Sequence, residues 1–283
     1  MKKTAGVPLD RFTVLHTNDF HNRLAPEQAQ KLRRLRQEVG PQGMLLDAGD
    51  AVAAGNITFH PGGEPILEQM SWIGYDAMTV GNREFHFTPA GFRCKLSRAS
   101  FPILCANVRN SRTVAFDELR LDNATKADAG NVTAELFAAP DLPVRPFVVH
   151  EATPGWRVVV FGLTVPMITE RMLVRKVSAY VFDDPIQTAE RLVPFLRRKY
   201  TPDILVALTH IGLQQDRTLA AAVPGIDLIV GGHTHNVIDA GEPVGETWIV
   251  QAGSHGHYIG KVEIQYSRGA GAKWHMNARL EAL

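Results

Sequence analysis

Five apolar runs along this chain end in side chains able to ligate a cation. Phe12-Thr-Val-Leu-His-Thr-Asn-Asp19-Phe-His21 finishes in an aspartate and a histidine two positions apart, and Gly43-Met-Leu-Leu-Asp-Ala-Gly-Asp50 finishes in an aspartate. Asp76-Ala-Met-Thr-Val-Gly-Asn82 ends in an asparagine, and Asp203-Ile-Leu-Val-Ala-Leu-Thr-His210 in a histidine. The run Ile226 to Val230 empties into Gly231-Gly232-His233-Thr-His235. Short apolar runs bounded by glycine and polar residues read as buried strands. The two glycines are expected to let the backbone turn sharply, so that both imidazoles of the last run face one point.

Between these strands the pattern changes to a helical period. Pro26 to Val39 places Ala29, Leu32, Leu35 and Val39 on one face, with Gly40 as a stop. A second helix is expected from Pro65, with Ile66, Leu67, Met70 and Ile73 inward and Gly74 at its end. A third follows Asp183-Asp184-Pro185, with Ile186, Ala189, Leu192, Val193 and Leu196 apolar; Pro194 should bend or interrupt it. Leu213 to Val223 is a short helix. Pro102 to Asn107 and Trp156 to Thr164 read as further strands, the latter pairing with Phe147 to Glu151 across Pro154-Gly155. Residues 107–146 show no sustained period and read as a surface excursion. Thr247 to Ala252, Tyr258 to Tyr266 and Trp274 to Leu280 are expected to be antiparallel strands. Alternating strands and helices without a linker or internal repeat favour one α/β domain, 1–283, with two packed sheets.

Composition narrows the function. At 283 residues and 45% hydrophobic the chain can bury a full core. Thirty basic against 29 acidic residues leave a formal charge of +1, which lacks the electrostatic footprint of a binder of nucleic-acid polymers. No run approaches the ~20 apolar residues of a membrane span. The basic start Met1-Lys-Lys has no apolar stretch behind it, so a cytoplasmic location is the default expectation. Cys94 and Cys105 match no zinc motif and read as small buried hydrophobes.

Pooled, the strand ends supply Asp19, His21, Asp50, Asn82, His210, His233 and His235. Three oxygen donors and four imidazoles are too many for one first-row ion and fit two. A shared carboxylate, for which Asp50 is the natural candidate, would hold two cations at the ~3.5–4 Å of two-metal hydrolases. Such a pair lowers the pKa of a bridging water and clamps a phosphoryl oxygen for in-line attack. Mixed nitrogen and oxygen donors suit Mn, Zn, Fe or Co.

Asp19-x-His21, Gly49-Asp50, Gly81-Asn82, Thr209-His210 and Gly232-His233-Thr-His235 resemble the five motifs of the calcineurin-like metallophosphoesterase superfamily. The surrounding wording, Leu-His-Thr-Asn-Asp-Phe-His and Gly-Tyr-Asp-Ala-Met-Thr-Val-Gly-Asn, is similar to its 5′-nucleotidase and UDP-sugar hydrolase branch. The resemblance runs from about Phe12 to Tyr266. It implies a four-layer α/β/β/α sandwich of two mixed sheets and a phosphoric ester hydrolase with two divalent metal ions. It further implies Asp19, His21 and His235 on one ion, Asn82, His210 and His233 on the other, and Asp50 between them. The implied partner is a small phosphorylated substrate such as a nucleotide, with Asn82 also facing it.

The chain departs from the family pattern twice. The usual Gly-Asn-His-Glu-Phe-Asp is replaced by Gly81-Asn82-Arg83-Glu84-Phe85-His86. Arg83 keeps a cation over the phosphate, yet its pKa above ~12 prevents it from donating a proton. His86, able to titrate near neutrality, is the candidate to take over proton transfer, with a hydrogen-bonded wall residue as the alternative. Nucleotide-hydrolysing members also carry a C-terminal nucleotide-binding domain, which is expected to be absent from a chain ending at Leu283. His255 and His257 form a second His-x-His; if the tail strands return over the centre, His257 is the expected substrate contact. His16 reads as an interior group and His60 as a candidate for the pocket wall. Two other functions stay open: a phosphodiesterase acting on cyclic or dinucleotide substrates, and a metal-binding homologue without turnover.

Overall fold

A computed structural model describes residues 10–111, 142–152, 155–267 and 273–283. Its first half runs β1 (Asp10–Thr17), α1 (Pro26–Val39), β2 (Gly43–Asp47), α2 (Pro65–Ile73), β3 (Ala77–Thr79), α3 (Pro89–Leu96), β4 (Ile103–Leu104) and β5 (Val108–Asn110). Then follow β6 (Phe147–Ala152), β7 (Trp156–Thr164), β8 (Tyr180–Phe182), α4 (Pro185–Tyr200), β9 (Ile204–His210), α5 (Leu213–Ala222) and β10 (Leu228–Val230). The tail is β11 (Glu242–Val244), β12 (Thr247–Val250), β13 (Tyr258–Ser267) and β14 (Lys273–Ala282). One sheet has the order β14-β13-β1-β2-β3-β4, the other β11-β12-β10-β9-β7-β6, and β5 pairs with β8 in a small ribbon.

Side-chain alternation assigns each strand to two cores at once. On β1, Phe12 and Val14 enter the core between the sheets while Leu15 faces the helices. On β7, Val158 and Val160 enter the same inter-sheet core, and Val159, Phe161 and Leu163 lie under α4 and α5. Burial on both faces explains why these strands are apolar throughout instead of alternating with polar residues. The helices close the outer faces with the stripes their periodicity predicts: Ala29 and Leu32 of α1, Ile66, Leu67, Met70 and Ile73 of α2, and Ala189, Leu192, Val193 and Leu196 of α4. Each of the leucine, isoleucine, valine and methionine side chains contributes about 1.5–3 kcal/mol on burial, and the alanines less. The layers are therefore α/β/β/α, as expected.

Four details differ from the sequence expectation. Pro194 neither ends nor interrupts α4, which runs unbroken to Tyr200. Pro194 and Glu190 are both exposed, so water can serve the Glu190 carbonyl that the proline leaves without a donor. The tail strands are not all antiparallel: β12 runs parallel to β10 and antiparallel only to β11, because it returns to the second sheet while β13 and β14 join the first. The expected excursion is part of the fold at both ends. Asn107 is buried and ties Thr164 to Asp183, β5 follows it, and Val144 is buried; residues 112–141 lie outside the described residues. Finally, α3 carries no clear apolar period; Thr88 accepting the Gly91 amide and Pro89 at the first helical position mark its start. The hairpin of β6 and β7 is present in antiparallel register, with Pro154 outside the described residues.

β1, β2 and β3 run parallel, as do β7, β9, β10 and β12. All five segments that carry the expected ligands leave the C-terminal ends of such strands, where open α/β sheets gather their sites.

Two consequences can be measured. A Cβ at Gly162 of β7 would meet the Leu104 backbone at 2.6 Å, and Leu104 is held by its pairing with β3. Gly162→Ala should therefore cost about 1–3 kcal/mol, read as a lower urea midpoint at unchanged slope. An unchanged midpoint would show that the two strands can separate. His16 of β1 is fully buried against Gly260, its Nδ1 has no hydrogen-bond partner, and burial pushes its pKa down to about 3. The folded state keeps the ring neutral while the unfolded chain takes up a proton below about 6.5. Its contribution is intact above pH 6.5 and is lost as the pH falls towards 3, by up to about 1.4 kcal/mol per pH unit. His16→Leu should flatten the pH dependence of the urea midpoint between pH 6.5 and 4; parallel curves for both proteins would refute this.

Candidate metal centre

The proposed ligands are presented by unusual backbone. Asp19, His21, Asp50, His233 and His235 all adopt positive φ, between 50° and 78°. Such conformations are costly for non-glycine residues and persist where the surroundings impose them. Here the imposing bonds run between segments: Asp19 N–H to Gly49 O at 2.9 Å, His21 N–H to Asp50 O at 3.0 Å, and Asn22 N–H to Ala51 O at 2.7 Å. The segments after β1 and β2 thus fix each other.

The side chains converge in two groups. In the first, Asp19 Oδ1 lies 3.2 Å from His235 Nε2 and 3.7 Å from His21 Nε2, and the two Nε2 atoms are 3.1 Å apart. Asp19 Oδ2 accepts from the His233 amide at 2.9 Å and from Asn18 Nδ2 at 2.8 Å, whereas Oδ1 is buried without a hydrogen-bond partner. In the second, Asn82 Oδ1 is 3.1 Å from His233 Nδ1 and 3.3 Å from His210 Nε2, and His210 Nε2 is 3.5 Å from Asp50 Oδ1. Donors about 2.1 Å from a tetrahedral ion stand about 3.4 Å from one another. Both groups match that spacing, and the orphaned Asp19 Oδ1 fits a ligand awaiting its cation. Asp19, Asp50 and His210 also offer donor atoms within 4.8 Å of each other, so the groups adjoin.

The two glycines before His233 act differently from the expectation. Neither has positive φ; the histidines themselves do. A Cβ at Gly231 would meet Asp216 Oδ2 at 2.4 Å, and one at Gly232 would meet Ala48 O at 2.7 Å. Their function is close approach, of Gly231 to Asp216 on α5 and of Gly232 to the segment after β2. The imidazoles of 233 and 235 also face different partners, one in each group, instead of one point.

Electrostatics follow from burial and neighbours. His210 Nδ1 donates to Ala48 O at 2.7 Å, which aims Nε2 into the centre. Burial opposes its charge, but the hydrogen bond and charge of Asp50 prevail and push the pKa up to about 9. Burial also opposes ionisation of Asp50, yet His210 and the Arg83 amide hold its carboxyl below the usual range. In the absence of a cation, the His210 proton thus balances Asp50; a bound ion would take that proton's place. Burial lowers the pKa of His21 and of His233, favouring the neutral form a ligand needs.

The remaining expected residues divide. Arg83 is at the centre, with its amide donating to Asp50 Oδ1 at 2.8 Å, Nε 3.6 Å from Asp50 Oδ2 and Nη1 donating to Ala53 O at 2.8 Å. His86 is buried between Phe59 and Phe87, its Nδ1 accepts from the Thr88 amide at 3.1 Å and lies 3.0 Å from the Thr88 hydroxyl, and its ring also bonds the Ile57 backbone. Burial and then the Lys95 charge lower its pKa. His255, at φ 57°, donates its amide to Asp19 O and sets its ring, tilted by 54°, 5.3 Å from that of His21, while the exposed His257 ring is 6.1 Å from His255. His60 bonds Glu64 through its amide, away from the ligand set.

Two buried charges beside the site escaped sequence reasoning. Glu84 accepts from the amides of Gly81, Asp50 and Val52 at 2.8, 2.9 and 3.1 Å, with burial and Asp50 pushing its pKa up to about 7. Lys95 inserts its ammonium among backbone carbonyls of the same loops. Glu84 had a signal, an acid three residues after a glycine at a strand end; Lys95 had none, since its stretch carries no clear apolar period.

Fold and site define a metallophosphoesterase type of centre. The model of the family "calcineurin-like phosphoesterase" matches residues 12–237, and the chain belongs to that family of phosphoric ester hydrolases. It is 34% identical over 275 residues to the trifunctional nucleotide phosphoesterase protein YfkN of Bacillus subtilis, covering 90% of this chain and 18% of that protein. It is 27% identical to a 5′-nucleotidase of Vibrio cholerae, covering 92% and 49%. Among solved structures, a 5′-nucleotidase precursor from Thermus thermophilus superposes with a TM-score of 0.68 at 26% identity, over 96% of this chain and 55% of that one. These relatives accord with the expected branch. The chain spans about half the length of the Vibrio relative and less of YfkN. Among the described residues no helix is long and apolar enough to cross a membrane.

Proposed function

We propose that this chain is a dinuclear metal-dependent phosphohydrolase, acting as a 5′-nucleotidase-like phosphomonoesterase on a small phosphorylated substrate, with a nucleotide as the leading class. The observation that carries the reading is the pairing of two donor groups at coordination spacing, with Asp19 Oδ1 left bare between two imidazole nitrogens. Asp19, His21 and His235 would hold one ion, Asn82, His210 and His233 the other, and Asp50 would bridge them. Mn, Zn, Fe or Co suit the donor set. Two such ions supply an activated water and a clamp on phosphoryl oxygens. The nucleotide class rests on the relatives' names and on nothing in the site itself.

The chain's own residues then have separable tasks. Arg83, beside Asp50 and tethered to Ala53 O, places a fixed positive charge at the edge of the centre, suited to gripping two phosphate oxygens. It cannot protonate a leaving group. His86, with its ring enclosed and hydrogen-bonded, supports the wall in preference to proton transfer. His257, exposed on the loop that also carries His255, remains a proposed substrate contact.

The test starts from chelated apo-protein reloaded with each ion, with metal content measured beside hydrolysis of aryl, alkyl and nucleoside monophosphates and of phosphodiesters. Two ions per chain are expected, with monoesters turned over faster than diesters and aryl faster than alkyl esters. Asp50→Ala should hold at most one ion and lose at least about 100-fold in activity, since even outer partners of metal ligands cost 10–100-fold. Faster diester turnover would favour a phosphodiesterase. Two ions without any hydrolysis would favour a non-catalytic metal-binding protein, and equal aryl and alkyl rates would contradict the account of Arg83.

A further inference from the structure

Lys95 is a fully buried lysine on α3, an unusual place for an ammonium. Its Nζ donates to Arg83 O at 2.6 Å, Gly55 O at 2.7 Å, Phe85 O at 3.2 Å and, more weakly, Ala54 O at 3.5 Å. Three ammonium protons thus serve four carbonyls from two loops. Among the described residues no backbone amide donates to Arg83 O or Phe85 O, so the lysine is their donor. Glu84 engages the same pair of loops from the other side, through the amides of Asp50, Val52 and Gly81. Its charge, with those of Glu64 and Asp50, favours the ammonium that burial opposes.

The two loops held by Lys95 are the two that fix the Arg83 side chain. One is its own backbone, and the other carries Ala53, whose carbonyl receives the guanidinium Nη1 at 2.8 Å. The guanidinium therefore hangs between two points, and a single buried cation holds the backbone at or beside each. An exposed arginine without such anchors would keep its rotamer freedom and lose it only on meeting an anion.

We infer that Lys95 is a positioning residue that presets the Arg83 guanidinium beside Asp50 for a substrate phosphate. This rests on the phosphohydrolase reading for its ligand. Lysine is suited to the task because a compact ammonium satisfies carbonyls on several sides, where a planar guanidinium would not.

The test is a double-mutant cycle in the full chain loaded with Mn, comparing wild type, Lys95→Met, Arg83→Ala and the double variant. Lys95→Met should lower kcat/KM for a phosphomonoester by about tenfold, within the usual range for coupled neighbours. In the Arg83→Ala background the same change should cost less than about twofold, because the group being positioned is gone. Metal content should stay at the wild-type level. The same factor in both backgrounds, or a loss of ions that tracks the loss of activity, would overturn the inference in favour of a merely structural lysine. If the wild type hydrolyses no phosphoester, the phosphohydrolase reading fails on its own, and the same cycle is read on calorimetric binding of inorganic phosphate. There, equal weakening in both backgrounds overturns the positioning claim. Should Lys95→Met not fold, Lys95→Gln, which keeps two donors on a shorter stem, enters the cycle in its place.

Discussion

Side-chain nitrogens and oxygens able to ligate a cation are crowded together at one edge of this molecule. Asp19 Oδ1 and two imidazole nitrogens stand within 3.7 Å of one another, and beside them Asn82, Asp50, His210 and His233 repeat the pattern. Ring nitrogens and carboxylate oxygens that turn their lone pairs to one another, as metal ligation requires, repel unless something positive lies between them. His210, as an imidazolium, answers part of this for Asp50, while Asp19 Oδ1 has no donor. Such a cluster is better suited to surrounding cations than to standing bare, and ion binding there would be coupled to the folding of the edge.

The scaffold exists to hold that crowding in place. Five of the seven proposed ligand residues have left-handed backbone, each of a kind that costs about 1–3 kcal/mol. Such local strain is sustained because the segments after β1 and β2 are bonded amide to carbonyl, and because two glycines let the end of β10 lie against Asp216 and Ala48. Below them the two sheets share an aliphatic core that fixes the spacing between β1 to β3 on one side and β9 to β10 on the other. Ligands from both sheets meet only because that core is closely packed. Glu84 and Lys95 continue the same logic outward, replacing apolar packing with buried charges that bond backbone in the loops.

Much of this was legible from residue order. Strands buried on two faces have no alternation to confuse them with surface, and their ends are marked by the ligands themselves. The stripes of α1, α2 and α4 are set by the 3.6-residue period, and the packed faces agree with them. What the order of residues did not reveal depends on contacts between distant segments. β12 and β13 look alike locally, yet one joins each sheet. Pro194 is tolerated because its turn faces water, a fact of exposure. His86 falls in the position of a catalytic group by spacing, and only its neighbours Phe59, Phe87 and Thr88 show that its ring is enclosed. Lys95 is one of several basic residues on its stretch, and nothing short of the fold tells the buried one from the others.

The central claim is that two cations occupy this edge between seven named side chains. Crystals grown with manganese and measured for anomalous scattering test it most directly. Two peaks about 3.5–4 Å apart are expected, one beside Asp19, His21 and His235, the other beside Asn82, His210 and His233, with Asp50 reaching both. A single peak, or density at some other cluster with this edge empty, would contradict the account.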